Sequence, residues 1–286
     1  MTHRVIAKLD IKGPNLVKGI HLEGLRVLGS PEDFAEFYYE SGIDELIYQD
    51  VVASLFERNS LTEIISRTAS GNFIPLTVGG GLRSVDDIRS VLRAGADKVA
   101  LNTAAIRNPN LIRDAAHEFG SSTIVIAIEA IRRDDGEYFA YIDNGREETG
   151  VEVTSWAKKV QELGAGEILL TSVDRDGTGK GFDLDLISGV AAELSIPVVA
   201  HGGAGVVSDI PKGIKAGADA VALASMLHYG ALEKRIFNPR STPEDGNKEF
   251  LMRKFRPVIM TVSSVQQVKR HLYENGYDCR YPIDDK

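Results

Sequence analysis

"IPLTVGGGLRSVDDIRSVLRAGADKVALNTA" occupies residues 74–104, and "IPVVAHGGAGVVSDIPKGIKAGADAVALASM" occupies residues 196–226. The second stretch repeats the first at an offset of 122 positions, the distance from Ile74 to Ile196. Glycines, apolar runs and amphipathic stretches match over ~30 residues, which accidental similarity rarely produces. The repeat therefore predicts a chain that is built from two similar halves.

Short apolar runs alternate with amphipathic stretches along the whole chain, and the repeat contains four of these runs. The runs are residues 4–10, 45–50, 74–81, 98–103, 123–130, 167–174, 196–203 and 220–225. Strands that alternate with helices favour a parallel sheet, and eight strands are the number that closes a barrel. We predict an α/β fold, a (β/α)8 TIM barrel in one domain over residues 1–286. Its half-barrels are expected at about 1–120 and 121–286.

Composition and charge exclude several classes of protein. The 286 residues suit one barrel, which takes roughly 250 residues. A net charge of -8 argues against nonspecific binding to nucleic acid. The single cysteine, Cys279, excludes an intrachain disulfide and a cysteine-based metal site. No apolar run approaches the ~18 residues of a membrane span, so we predict a cytoplasmic protein without membrane or nucleic-acid partners, and expect no metal or cofactor.

Glycine turns and small polar turns follow four of the predicted strands. "VGGG" (78–81) and "HGGAG" (201–205) follow the third and seventh strands, and "NTA" (102–104) and "AS" (224–225) follow the fourth and eighth. The active site of such barrels lies at these carboxyl ends, and glycine lets backbone N–H groups approach a ligand. The turns of each half therefore predict one anion site, and two such sites suit a ligand with two phosphates. The alternative is that the glycines only form tight turns.

Two carboxylates end predicted strands that face each other across the barrel. Asp10 ends the first strand and Glu129 ends the fifth, and a basic residue follows each within a few positions. Such a pair at the barrel mouth, the opening at the carboxyl ends of the strands, favours acid–base chemistry. We predict Asp10 as the general acid and Glu129 as the base, with helix or loop capping as the alternative. Asp174 and Asp176 are interpreted as residues that position the ligand.

Five motifs carry a resemblance to a known family. They are "DELIYQD" (44–50), "TVGGGLRSVDDI" (77–88), "GADKVALNTAAIRNP" (95–109), "GAGEILLTSVDRDGT" (164–178) and "GGAG" (202–205). With them the sequence resembles the cyclase subunit of imidazole glycerol phosphate synthase, from histidine biosynthesis, over about residues 4–230. The isomerase of the same pathway shares the half-barrel plan, but the fourth motif is closer to the cyclase.

The resemblance implies a lyase that works with a glutaminase subunit. The glutaminase is expected to form a heterodimer by docking on the N-terminal face of the barrel. Ammonia would then pass through the barrel interior. At the other end it would react with a phosphorylated ribonucleotide that carries two phosphates, giving imidazole glycerol phosphate and an aminoimidazole carboxamide ribotide.

The resemblance also implies roles for individual residues. Asp10 takes the place of the first catalytic aspartate, Glu129 falls at the second, and Lys18 matches a lysine of the mobile loop after the first strand. The implied substrate and phosphate contacts are Lys18, Gly80, Gly81, Asn102, Thr103, Asp176, Gly177, His201, Gly202, Gly203, Ala224 and Ser225. An ammonia gate is implied at Arg4, Glu45, Lys98 and Glu167. Four charges that sum to zero can satisfy one another while closing a pore, and a purely structural plug is the alternative.

The chain departs from the family pattern at the expected site. Glu129 replaces an aspartate, Lys8 replaces a small residue one layer below Asp10, and His201 replaces a small hydroxyl residue. We hypothesise that Lys8 pairs with Glu129 and draws the longer carboxylate into the mouth. The segment at about 234–258 is longer than the usual link into the last helix and is predicted to be an inserted loop.

These departures leave two alternatives to the cyclase. One is a related ammonia-dependent enzyme that amidates a nucleotide sugar to an acetamidino group for surface polysaccharides. The other is a non-catalytic subunit that only docks on a glutaminase and activates it. Replacement of Asp10 distinguishes the non-catalytic subunit from the two enzymes, because the change would not affect the function of a scaffold.

Overall fold

Eight parallel strands close into a barrel in the computed structural model, which describes residues 2–53, 61–234 and 260–280. The barrel strands are β1 (Arg4–Lys12), β4 (Glu45–Asp50), β5 (Leu76–Gly79), β6 (Lys98–Leu101), β7 (Ile124–Arg132), β10 (Glu167–Ser172), β11 (Val198–His201) and β12 (Ala220–Leu223). Each strand pairs in parallel with the next in this order, and β12 pairs with β1. The predicted TIM barrel is confirmed.

Two antiparallel hairpins, which were not predicted from the sequence, extend barrel strands at the mouth. Strands β2 (Asn15–Ile20) and β3 (Glu23–Gly29) continue from β1, and β8 (Tyr138–Ile142) and β9 (Glu147–Glu152) continue from β7. Lys18 therefore lies on a paired strand of the first hairpin, where the resemblance placed it in a loop.

Helices lie between the barrel strands, and the sheet's outer face packs against them in a large apolar core. They are α1 (Pro31–Glu40), α2 (Thr62–Gly71), α3 (Val85–Arg93), α4 (Thr103–Arg107), α5 (Asn110–Phe119), α6 (Val153–Glu162), α7 (Leu184–Ala191), α8 (Asp209–Lys215), α9 (Ser225–Lys234) and α10 (Val265–Glu274), with a 3-10 turn at Ser121–Thr123. None of the helices in the described ranges is long and apolar enough to cross a membrane.

The repeat is visible in the backbone as well as in the sequence. Gly80 and Gly202 occupy equivalent positions with φ of 102° and 91°. A Cβ atom would lie 2.4 Å from the carbonyl oxygen of Asp50 in one half and 2.5 Å from that of Ser172 in the other. Both turns therefore require glycine for the same reason. The division near residue 120 stays a prediction, and the predicted insertion lies outside the described residues beyond the end of α9.

A small apolar layer fills the inside of the barrel. It contains Ile6, Ile47, Ala100, Val125, Ala127, Leu169, Val199, Ala220 and Ala222. Side chains alternate along a strand, so Asp10 shares the inward face of Ile6, and Glu129 shares that of Ala127. The layer therefore separates the charged amino end of the barrel from the polar mouth.

The last helix is fixed to the barrel by a buried ion pair, and its loss is expected to be costly. Lys269 Nζ lies 2.6 Å from Asp44 Oδ1 and donates to the carbonyl of Gly42. Lys269→Met should destabilise the fold by about 3–5 kcal/mol, because Asp44 would stay buried without its cation. Urea unfolding measures the loss, with the exposed Lys215→Met as the matched control. A loss equal to that of the control would contradict this prediction.

Candidate active site

Four buried side chains of alternating charge, Lys8, Asp10, Lys18 and Asp176, form a charge row at the mouth. Lys8 Nζ donates to Asp10 Oδ1. Lys18 Nζ lies 3.5 Å from Asp10 Oδ2 and 2.8 Å from Asp176 Oδ2. Strand β1 supplies the first two residues, β2 supplies Lys18, and the loop after β10 supplies Asp176. The row joins the first hairpin to the loop after β10.

The charges of the row stabilise one another. Burial alone would raise the pKa of Asp10, but the Lys8 and Lys18 ammonium groups outweigh it and hold the pKa well below its usual range. Burial also opposes the charge of Asp176, whose pKa is nevertheless lowered, chiefly by Lys18. Asp10 is thus a carboxylate at neutral pH. Two cations disfavour the protonated form of Asp10, and its role as the general acid stays a prediction.

Glu129 has a different environment at the end of β7. Its Oε2 accepts the Gly145 N–H at 2.7 Å, which comes from the turn of the second hairpin. Burial raises the pKa of Glu129 to about 7, although the Lys8 charge and this hydrogen bond favour the carboxylate. The hypothesis of a Lys8–Glu129 ion pair is wrong, because Lys8 forms its ion pair with Asp10. Lys8 affects Glu129 only as a charge at longer range.

The two predicted anion sites are called the first and second cradles after the half-barrels that form them. The first cradle is a cavity of about 240 Å³ beside Glu129. It joins four other residues that were predicted as ligand contacts, Gly80, Gly81, Asn102 and Thr103. Other residues that line the cavity were not predicted, among them Gln49, Asp50, Arg83, Arg107 and Asn144. Asn144 and Gly145 form an Asn-Gly turn with φ of 62° and 75°, and this dipeptide is a hairpin signal that could have located the second hairpin.

The second cradle is much smaller, with a cavity of about 20 Å³, which holds about one water molecule. It joins all the predicted residues of the second half: Asp176, Gly177, His201, Gly202, Gly203, Ala224 and Ser225. The buried His201 ring forms part of its wall. Burial lowers the pKa of His201 to about 3, and the nearby Lys8 charge acts in the same direction. His201 is therefore a neutral ring at this cradle, not an additional cation.

The four residues predicted as a gate form a closed charge ring at the amino ends of four barrel strands. Arg4 Nη1 lies 2.7 Å from Glu45, and Arg4 Nη2 binds Glu167. Lys98 Nζ lies 3.3 Å from Glu45 and 3.1 Å from Glu167. Each carboxylate therefore contacts both cations. The inner apolar layer lies directly above this charge ring.

The model of the family of histidine biosynthesis proteins matches residues 4–233. The chain belongs to this family. The match covers the charge ring, both cradles, Asp10 and Glu129. The resemblance that the five motifs predicted is thereby confirmed, whereas the roles of individual residues stay predictions.

Several similar proteins in the histidine biosynthesis family bear the name imidazole glycerol phosphate synthase subunit HisF. The one from Legionella pneumophila is 59% identical over 202 residues, which are 71% of this chain and 95% of the relative. That from Bifidobacterium adolescentis is 50% identical over 233 residues, 79% of this chain and 91% of the relative. That from Lactococcus lactis subsp. lactis is 50% identical over 232 residues, 80% of this chain and 90% of the relative.

Proposed function

We propose that this chain is the cyclase subunit of imidazole glycerol phosphate synthase. It is a cytoplasmic lyase that uses ammonia from a glutaminase partner. It converts a bisphosphate ribonucleotide intermediate to imidazole glycerol phosphate and aminoimidazole carboxamide ribotide. The observation that carries the proposal is the near-complete coverage of relatives with that name at 48–59% identity.

The geometry of the mouth supports a reaction of a substrate that carries a phosphate at each end. Glycine turns at the two cradles leave backbone N–H groups accessible to phosphate, and Asp10 and Glu129 come from strands on opposite sides of the barrel. Arg83 and Arg107 add positive charge to the wall of the first cradle. A phosphate is therefore expected to bind first in this larger cavity.

The barrel interior supports the passage of ammonia. The charge ring closes the amino end, and an apolar layer follows it. Neutral ammonia crosses an apolar layer at far lower cost than ammonium, because an ion loses its hydration there. The exposed ring of Phe73 lies beside a cavity of about 390 Å³ at the amino end of β5. This apolar surface supports docking of the glutaminase on the N-terminal face.

One observation favours the sugar-amidating enzyme as a second candidate. The second cradle has space for about one water molecule, and the neutral His201 lines it. An acceptor whose phosphates lie at one end would need only the first cradle. A non-catalytic activator of a glutaminase has no use for either cradle.

Ammonia-dependent turnover tests the proposal directly. The purified chain, supplied with an ammonium salt at alkaline pH, is expected to consume the bisphosphate intermediate and release the imidazole product. Asp10→Asn should lower this turnover at least about a hundredfold, because a charge at the reacting centre is removed. Asp134→Asn, in the exposed turn after β7, is the matched control.

Each outcome of this assay assigns the function. Turnover that depends on Asp10 supports the cyclase. A well-folded protein that amidates a nucleotide sugar and ignores the bisphosphate would move the assignment to the second candidate. The chain would be a non-catalytic scaffold if it turns over neither the bisphosphate nor the nucleotide sugar. In that case it would activate a glutaminase equally well with aspartate or asparagine at position 10.

A further inference from the structure

We propose that Lys8 fixes Asp10 as a permanent carboxylate and so leaves Glu129 as the group that carries the proton at the barrel mouth. Lys8 is a positioning residue in this scheme, because it acts through Asp10. The inference rests on the proposed function for its catalytic meaning. The division of charge between Asp10 and Glu129 does not depend on which reaction occurs at the mouth.

The contacts of Asp10 leave no favourable place for a proton. Lys8 Nζ donates to one carboxylate oxygen, and Lys18 Nζ lies 3.5 Å from the other. An ammonium group has only donors. An O–H on either oxygen of Asp10 would therefore face a donor in place of an acceptor. Both lysines are buried, so water does not screen their charges effectively.

The contacts of Glu129 accommodate a proton. One oxygen accepts the Gly145 N–H, and among the described residues no cation forms an ion pair with this side chain. Burial raises the pKa of Glu129 and outweighs the Asn102 side-chain hydrogen bond, which favours the carboxylate. Among the described residues, a proton on Glu129 would therefore face no paired ammonium group, in contrast to a proton on Asp10.

The titratable groups around the two carboxyl groups come from several elements. They are Lys8 and Asp10 of β1, Lys18 of β2, Asp176 of the loop after β10, His201 of β11 and His228 of α9. Burial lowers the pKa of both His201 and His228 to about 3, so neither ring is a proton carrier at neutral pH. The same surroundings place the pKa of Glu129 at about 7 and keep that of Asp10 far lower.

Carboxyl ¹³C NMR titration of the whole chain tests the division of charge without any substrate. The Glu129 and Asp10 signals are assigned from their absence in Glu129→Gln and Asp10→Asn. In the wild type we expect Glu129 to titrate near pH 7 and Asp10 to stay ionised down to pH 4. Titration of Asp10 above Glu129 would overturn the proposal.

Variants at position 8 test whether Lys8 is the cause. Lys8→Met should raise the titration midpoint of Asp10 by at least one pH unit, and Lys8→Arg should preserve the wild-type order. An Asp10 midpoint that is the same with methionine and lysine would refute the role of Lys8. Circular dichroism checks folding, and if Lys8→Met does not fold, the wild-type and Lys8→Arg titrations still decide the assignment of the proton.

The pH dependence of kcat/KM links this charge division to the reaction. At constant free ammonia, the wild-type value should fall about tenfold per pH unit above the Glu129 midpoint, as expected for an essential acid. Lys8→Met should change this profile, which a merely structural lysine would not do. If the bisphosphate is not turned over at all, the proposed function fails, while the NMR titration still decides the charge division.

Discussion

Replacement of Glu129 by glutamine is expected to lower turnover by about 10²–10⁴-fold, the range of a general acid or base. Glutamine keeps an oxygen for the Gly145 N–H, which Glu129 accepts at 2.7 Å, so the hairpin contact survives. It cannot exchange a proton. Steady-state kinetics with ammonium salt measures the loss, and the exposed Glu137→Gln in the neighbouring turn is the matched control.

The same substitution should make the fold more stable in mild alkali. The pKa of Glu129 is raised from 4.5 to about 7, so the stability contributed by its protonated form is complete below pH 4.5 and is lost as the pH rises through 7. One pKa unit is worth 1.36 kcal/mol, and the wild type therefore loses about 3 kcal/mol that glutamine does not lose. Glu129→Gln should match the wild type at pH 4.5 and exceed it at pH 8 in urea unfolding.

Two results would contradict this account of Glu129. A fall in turnover of less than tenfold would remove it from the proton-transfer chemistry. A constant difference in unfolding free energy between pH 4.5 and pH 8 would show that its pKa is the same in the folded and unfolded states. The second result concerns the electrostatics alone and does not depend on which acceptor the enzyme uses.

The barrel could be predicted from the sequence because its signals are local and repeated. Each strand and helix of the duplicated stretch has its own periodicity, and the glycines equivalent to Gly80 recur at the same offset. The charge ring could also be predicted from the resemblance, since each of its members begins a barrel strand. These features depend on register along a strand, and register can be read from sequence.

The partner of Lys8 could not be predicted in the same way. The sequence places Lys8 and Asp10 on one face of β1, but a lysine side chain is long enough to reach either Asp10 or the opposite strand. In the structure Lys8 pairs with Asp10, and Glu129 accepts the N–H of Gly145, which belongs to a hairpin that was not predicted. The sizes of the cradles likewise depend on how tertiary packing places the His201 ring.

Replacement of Lys18 by methionine is expected to destabilise the fold strongly. The side chain is 1% exposed and lies between Asp10 and Asp176, so the substitution leaves two buried carboxylates around an apolar group. Asp10 keeps Lys8, but Asp176 has no other ion pair among the described residues. Removal of one member of a buried ion pair costs about 3–5 kcal/mol. We expect a loss of this size at pH 7.

The contacts of Asp176 also predict which part of the fold Lys18→Met should destabilise locally. Its backbone oxygen accepts the His21 N–H at 2.9 Å, and its Oδ2 accepts the Leu22 N–H at 3.3 Å, both in the turn of the first hairpin. Repulsion between Asp176 and Asp10 would pull on this connection. Backbone amide exchange in residues 15–29 should therefore accelerate more in Lys18→Met than exchange in the barrel strands.

The change with pH in the stability deficit of Lys18→Met shows whether the two carboxylates cause that deficit. In the wild type the pKa values of Asp10 and Asp176 are both lowered from 3.8. The stability that these groups contribute is therefore present above pH 3.8 and is lost as the pH falls through their folded-state values. Without Lys18 much of this contribution disappears, so the deficit should be full at neutral pH and shrink in acid. Urea unfolding from pH 7 to pH 2 measures it.

An exposed lysine on the same strand pair provides the control. Lys12→Met removes a cation from the end of β1 without uncovering a buried carboxylate, and it should change stability by no more than about 0.5 kcal/mol. If Lys18→Met behaves like this control, the charge row does not stabilise the fold, and the ionised state of Asp10 would depend on Lys8 alone. If its deficit instead stays constant down to pH 2, the loss comes from packing of the lysine side chain and not from the two carboxylates.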